Sequence, residues 1–194
     1  MTALGSDAAL ERLMAGNRRY MAAKLRHPHQ TPDYRLALNE GQTPCAMILG
    51  CADSRVPPEV IFDQGLGDLF VVRVAGNIVD DVVLASLEYG AGHLGAPLLM
   101  VLGHSHCGAV AATLGDGELE GHLSRLAEAI RPATVRAKGQ PGDALDNAVR
   151  ANVALTVEVL NAAEPVLSER VRAGKLKAVG AYYHLDTGVV ELLS

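Results

Sequence analysis

Three short apolar runs, Cys45 to Leu49, Leu69 to Val74 and Pro97 to Leu102, constrain the fold of this chain more than any other feature. None alternates between apolar and polar positions, as a strand with one wet face would. Each is about strand length, and helical patterns separate or follow them at Pro57 to Phe62, Asp80 to His93 and Cys107 to Leu114. A parallel sheet covered by helices on both faces satisfies this pattern. Leu119 to Ile130 and Ala144 to Leu160 read as further helices. Lys177 to Tyr183 and Gly188 to Leu193 read as a closing hairpin or strand pair around Asp186-Thr187-Gly188. The expected class is therefore α/β, with a mostly parallel central β-sheet flanked by helices.

A long amphipathic helix precedes this alternation. Ser6 can cap it, Leu10, Leu13, Met14, Asn17 and Met21 recur at helical spacing, and His27-Pro28-His29 with Pro32 ends it after about Arg26. Such an N-terminal helical arm, residues 1–33, can pack on its own core or reach across to a second subunit. A short helix is expected near Tyr34 to Asn39. With no linker composition and no internal repeat, residues 1–194 read as a single domain.

Composition narrows the partners. The net charge is −5 and no basic run occurs, so the electrostatic footprint of a nucleic-acid binder is missing. The apolar run Ala96 to Leu102 is far too short to span a bilayer. Met1 leads into polar residues without the basic and apolar regions of an export signal, which fits a cytoplasmic chain, or a periplasmic one whose signal has been removed. A hydrophobic share of 49% is high for a monomer of this size, and self-association is expected. Three cysteines make no disulfide framework, so metal ligation is the better reading of two of them.

Those two are Cys51 and Cys107, and His104 joins them. Cys51 follows the first apolar run and its Gly50, while His104 and Cys107 follow the third run and its Gly103. All three thus fall at the carboxyl ends of parallel strands, where open α/β sheets bind ligands. Two thiolates and an imidazole suit Zn²⁺, and three firm ligands leave a fourth position for water or substrate, the catalytic pattern. His104 and Cys107 are three apart at a helix start, which also favours the thiolate of Cys107. Two thiolates should acidify zinc-bound water less than three neutral histidines would, so activity is expected to build up at neutral to alkaline pH. Asp53 can accept a hydrogen bond from that water or replace it on the metal. A bidentate Arg55 would hold the carboxylate off the metal and ionised.

Cys51-Ala52-Asp53-Ser54-Arg55 and Gly103-His104-Ser105-His106-Cys107-Gly108-Ala109, at this separation, closely resemble the motifs of the β-class carbonic anhydrases. The resemblance extends to Gly41-Gln42-Thr43-Pro44, to Phe70-Val71-Val72-Arg73 with Ala75-Gly76-Asn77, and to Ser86-Leu87-Glu88-Tyr89. It implies that Cys51, His104 and Cys107 bind one Zn²⁺ per subunit and that Asp53 and Arg55 form a catalytic dyad. The implied reaction is reversible hydration of CO₂ to bicarbonate and a proton by a zinc hydroxide. It further implies that Gln42 donates a hydrogen bond to bicarbonate, that Phe70, Ala75, Tyr89 and Gly108 belong to the substrate pocket, and that the chain assembles into a dimer or tetramer. Some bacterial members carry a regulatory tryptophan three residues before the first cysteine; here that residue is Ile48, which resembles the subgroup retaining the glutamine.

Other residues carry plainer readings. His106, one residue from Cys107, points elsewhere on the turn and reads as solvent-facing. Cys45 reads as a small buried strand residue, and His27 and His29 as surface histidines beside a proline. The same zinc chemistry would also suit carbonyl sulfide or carbon disulfide. A binding protein that has lost its chemistry would have no need of Asp53 and Arg55, and no Gly-x-Gly-x-x-Gly follows the first strand to suggest a nucleotide site.

Overall fold

The computed structural model describes residues 4–115, 117 and 119–193. Among them, β1 (Ala46–Gly50), β2 (Leu69–Arg73), β3 (Leu98–His104), β4 (Lys177–Tyr183) and β5 (Val190–Leu193) form one sheet in the order β2-β1-β3-β4-β5. The first four strands run parallel, and β5 returns antiparallel on β4. The helices are α1 (Ser6–Met21), α2 (Pro32–Ala37), α3 (Pro58–Ile61), α4 (Asp81–Gly92), α5 (Gly108–Leu114), α6 (Leu123–Ala137), α7 (Ala144–Ala162) and α8 (Val166–Arg172).

The first and third unalternating runs have the expected cause, whereas β2, at the edge of the sheet, is only partly buried in this chain. Ile48, Met100 and Leu102 point to one face, where they meet Ala9 and Leu13 of α1 and Phe62. Met47, Leu49, Leu99 and Val101 point to the other, against Leu87, Ala91, Val153, Leu160 and Leu167 of α4, α7 and α8. With both faces dry, every position of β1 and β3 is buried. The leading helix thus packs on the chain's own sheet.

Several boundaries differ from the sequence reading. Gly5, not Ser6, occupies the cap of α1, and the helix ends at Met21 rather than near Arg26. The chain turns there because Asp63 collects donors: Arg19 Nε at 2.6 Å and the backbone N–H groups of Arg26 and His27 at 3.0–3.1 Å. Burial opposes ionisation of that carboxyl, yet these donors hold it below its ordinary range. Helix α2 starts earlier than expected, capped by Thr31, and passes into a 3₁₀ turn at Leu38–Glu40. Helix α6 lies further along than Leu119 to Ile130. Its buried stripe of Ala127, Ile130, Ala133 and Ala137 continues through Pro132 and outweighs the proline's lost hydrogen bond. Helix α8 was not expected from the sequence.

The seat of α1 is tight. Asn17, buried in its apolar stripe, donates to the carbonyls of Ile61 (3.3 Å) and Gly188 (2.9 Å) and accepts from Val190 N–H (3.0 Å), tying the arm to α3 and β5. One turn position earlier, a Cβ on Gly16 would lie 1.7 Å from the Phe62 carbonyl oxygen. Alanine normally gains about 1 kcal/mol over glycine inside a helix. Here overpacking against fixed backbone reverses the sign. Gly16→Ala is expected to lower unfolding free energy by about 3 kcal/mol, measured by urea titration; equal or greater stability would show that α1 can slide.

Candidate metal centre

The register of the sheet assembles the centre. Gly50 at the end of β1 pairs with Arg73 on one side and Leu102 on the other, and β3 runs two residues further to His104. Cys51 therefore emerges from β1 beside His104, and Cys107 closes the group as the cap residue of α5. Their three donor atoms lie within 4.8 Å of one another, and all three residues are buried.

The protonation pattern suits a cation. His104 Nδ1 lies 2.9 Å from the Ser105 carbonyl oxygen, which can only accept, so Nδ1 carries the proton and Nε2 the lone pair. That Nε2 is buried without a hydrogen-bond partner and faces the two sulfurs. An unpaired buried acceptor between two thiols is costly unless an electrophile occupies the space. Of the sulfurs, Cys51 is the more acidic. Cys107 donates to it, and the backbone N–H groups of Asp53 (3.4 Å) and Gly76 (3.3 Å) add to the effect. Cys107 is correspondingly raised by its bond to Cys51, so the helix-start effect expected from sequence is outweighed within the pair. A divalent ion with two thiolates and one neutral imidazole satisfies all three donors, and this set favours zinc.

Asp53 stands beside the donors, with Oδ2 3.9 Å from His104 Nε2. Arg55 grips it bidentately, Nε to Oδ1 at 2.9 Å and Nη2 to Oδ2 at 2.7 Å, and its backbone N–H adds a third bond to Oδ1. The Arg55 fork is the main reason the carboxyl is held well below the usual carboxylate range. Arg55 Nη2 also reaches the His106 carbonyl at 3.3 Å, which joins the two ligand loops. His106 adopts φ 55°, and its side chain is exposed, as expected.

Other predicted residues fall in two groups. Ala75 precedes Gly76, and Gly108 follows Cys107, so both flank the donors. Phe70 and Tyr89 instead pair with each other, ring centroids 6.1 Å apart. Tyr89 is 48% exposed and lines an open cavity of about 390 Å³ with Ala85, Glu88, Gly92, His93 and Val166, none of them a metal donor. Gln42 is exposed on the segment leading into β1. Cys45 is buried and its thiol is raised by that burial. His29 is more engaged than a surface residue: it stacks on Tyr34 at 4.2 Å and its Nδ1 lies 2.8 Å from Asp68 Oδ2.

Arg73 falls in the matched Phe70-Val71-Val72-Arg73 segment, but sequence reasoning gave it no role. It closes β2 with Nε on the Cys51 carbonyl (2.9 Å) and Nη2 on the Asp53 carbonyl (2.5 Å), bracing the loop that carries both residues. Beyond that match, its place opposite Gly50 in the register is what reveals the role.

The sequence profile of the carbonic anhydrase family matches residues 46–190, which hold every element from β1 to the start of β5. Carbonic anhydrase 2 of Mycobacterium tuberculosis is 45% identical over 185 residues, covering 93% of this chain and 89% of that protein. The chain belongs to the β-carbonic anhydrases. Carbonic anhydrase of Mycolicibacterium smegmatis is similar at 40% identity over 191 residues, 96% of this chain and 93% of that one. A tetrameric β-carbonic anhydrase from Sordaria macrospora superimposes with a TM-score of 0.78 at 27% identity, covering 95% of this chain and 96% of the other. These are carbonic anhydrase enzymes, and the Cys51, His104, Cys107 group lies within the matched span. No described helix is long and apolar enough to cross a membrane.

Proposed function

We propose that this β-carbonic anhydrase hydrates CO₂ reversibly to bicarbonate and a proton at one Zn²⁺ per subunit, held by Cys51, His104 and Cys107. The observation that carries the reading is the buried, unpartnered lone pair of His104 Nε2 among two thiols, with an ionised carboxylate 3.9 Å away. When bound, zinc supplies the nucleophile by lowering the pKa of a coordinated water. Asp53 Oδ2 is the acceptor that orients the attacking oxygen, because Arg55 fixes the carboxylate plane and keeps it charged. Arg73 and the Arg55 to His106 bond keep the two ligand loops in register while substrate and product exchange.

Gln42, Ala75 and Gly108 are proposed to meet the substrate on the same side, with Gln42 donating to bicarbonate. Tyr89, paired with Phe70, lines a cavity that holds none of the donors, which fits a pocket completed by a second subunit, so a dimer or a tetramer is the proposed working form. The 1–33 segment is proposed as an arm of a single domain. Three unpaired cysteines suit a reducing compartment, and the cytoplasm is proposed.

Stopped-flow CO₂ hydration on protein assayed for zinc in the same sample tests the reading. Turnover should scale with zinc content and rise from neutral to alkaline pH. Asp53 stays ionised throughout that range, so the rise belongs to the water and not to the carboxylate. Fully zinc-loaded protein without turnover at any pH would overturn the assignment.

A further inference from the structure

Asn152 is a buried amide, 4% exposed, on the inner face of α7, where Thr156 is the one other buried polar residue. A buried amide is costly unless hydrogen-bonded, so its partner matters. Asn152 Nδ2 donates to the Gly76 carbonyl at 2.8 Å. Gly76 sits in the 3₁₀ turn Ala75–Asn77 with φ 69°, and Asn77 after it adopts φ 43°. An added Cβ at position 76 would lie 2.7 Å from Ile130 Cδ1 and 3.3 Å from Ala109 Cβ, so the turn is pressed closely against α5 and α6. The outcome of this backbone path is that the Gly76 N–H points at Cys51 Sγ, 3.3 Å away.

We infer that Asn152 is a positioning residue which, by holding Gly76, sets how strongly the Cys51 thiolate donates to the metal. An N–H bond to a ligating sulfur draws charge from it, and partners of this kind tune affinity and the acidity of the metal. Only two backbone N–H groups reach Cys51 Sγ among the described residues, from Asp53 and Gly76, so losing one removes half of that effect. The Asp53 bond is local to the Cys51 loop. The Gly76 bond depends on a turn whose carbonyl is pinned from a different helix.

The inference rests on the metal-site reading above, and the experiment separates the two. Asn152→Ala removes the donor and leaves space, and Asn152→Leu removes it with the same branched outline but greater bulk, so a folding defect in one leaves the other informative. Thr156→Ala, a buried change one turn along α7, controls for loss of helix packing. Each protein is loaded with Co²⁺ for near-ultraviolet spectroscopy and with Zn²⁺ for release into a chelator. Both Asn152 variants should move the thiolate-to-cobalt charge-transfer band to longer wavelength, since a sulfur freed of an N–H bond donates more readily. Zinc release should change by about tenfold or more, while Thr156→Ala leaves band and rate as in the parent. Asn152 variants with the parent's band and release rate, or a Thr156→Ala shift of equal size, would overturn the inference. A parent chain that binds neither metal stoichiometrically would overturn the metal-site reading together with it.

Discussion

Cys51→Ser is expected to give a folded protein that retains almost no zinc and hydrates CO₂ at the rate of a zinc-free control. The substitution changes volume little at a buried position, so packing of the strand end should survive. The coordination chemistry does not survive. Serine stays a neutral hydroxyl where a thiolate would be, and the N–H groups of Asp53 and Gly76 lose their anion. Structural zinc sites with four ligands bind with roughly 10–16 kcal/mol, about 3 or 4 kcal/mol per ligand, so forfeiting one of three anchoring ligands here should cost several kcal/mol, a fall in affinity of about a thousandfold. Two readouts check this. Zinc per subunit after dialysis should drop from near one to near zero. A chelator should lower the melting temperature of the parent and leave Cys51→Ser unmoved, because only a folded state that binds the metal is stabilised by it. A Cys51→Ser protein that holds stoichiometric zinc would remove Cys51 from the ligand set.

What could be read from the chain alone, and what could not, follows from the range of the interactions. β1 and β3 were legible because burial on both faces leaves no polar position, a property each strand carries by itself. The donors were legible because thiol and imidazole at strand ends are rare residue types in a demanding place. Helix α8 was not legible: seven residues after Pro165 are too few to show a period, and it is held by packing Leu167 under the sheet. The true end of α1 was hidden because Asp63, which stops it, is remote in sequence. The same holds at the site. The bracing role of Arg73 shows only through its strand register, and that of Asn152 only through a contact 76 positions away. The Phe70 and Tyr89 assignments came from resemblance, and in a single chain the two rings pair with each other while Tyr89 lines a cavity that holds no metal donor.

The second large effect is expected at Asp53. Asp53→Asn should keep zinc near one per subunit, since Asp53 is not among the three donors, and should lower kcat by about a hundredfold or more, the usual worth of a well-placed proton acceptor. The carboxamide nearly matches the carboxylate in shape. What it lacks is charge, and its Nδ2 donates where Oδ2 accepts, so both the Arg55 fork and the bond to the attacking oxygen are weakened together. Arg55→Ala separates these contributions. Without the guanidinium the depressed pKa of Asp53 returns toward its ordinary value near 3.9, so the carboxyl is still ionised at neutral pH. Its protonation therefore cannot account for any activity lost at pH 7 and above. If the fork acts by aiming the carboxylate and keeping it off the metal, Arg55→Ala should lose most turnover, and raising the pH from 7 to 9 should not restore it. Zinc content should hold in this variant too, because a freed Asp53 can move to the metal and does not displace a ligand. Full activity in zinc-loaded Asp53→Asn would leave the carboxylate as a loop brace for Arg55 and transfer proton acceptance elsewhere.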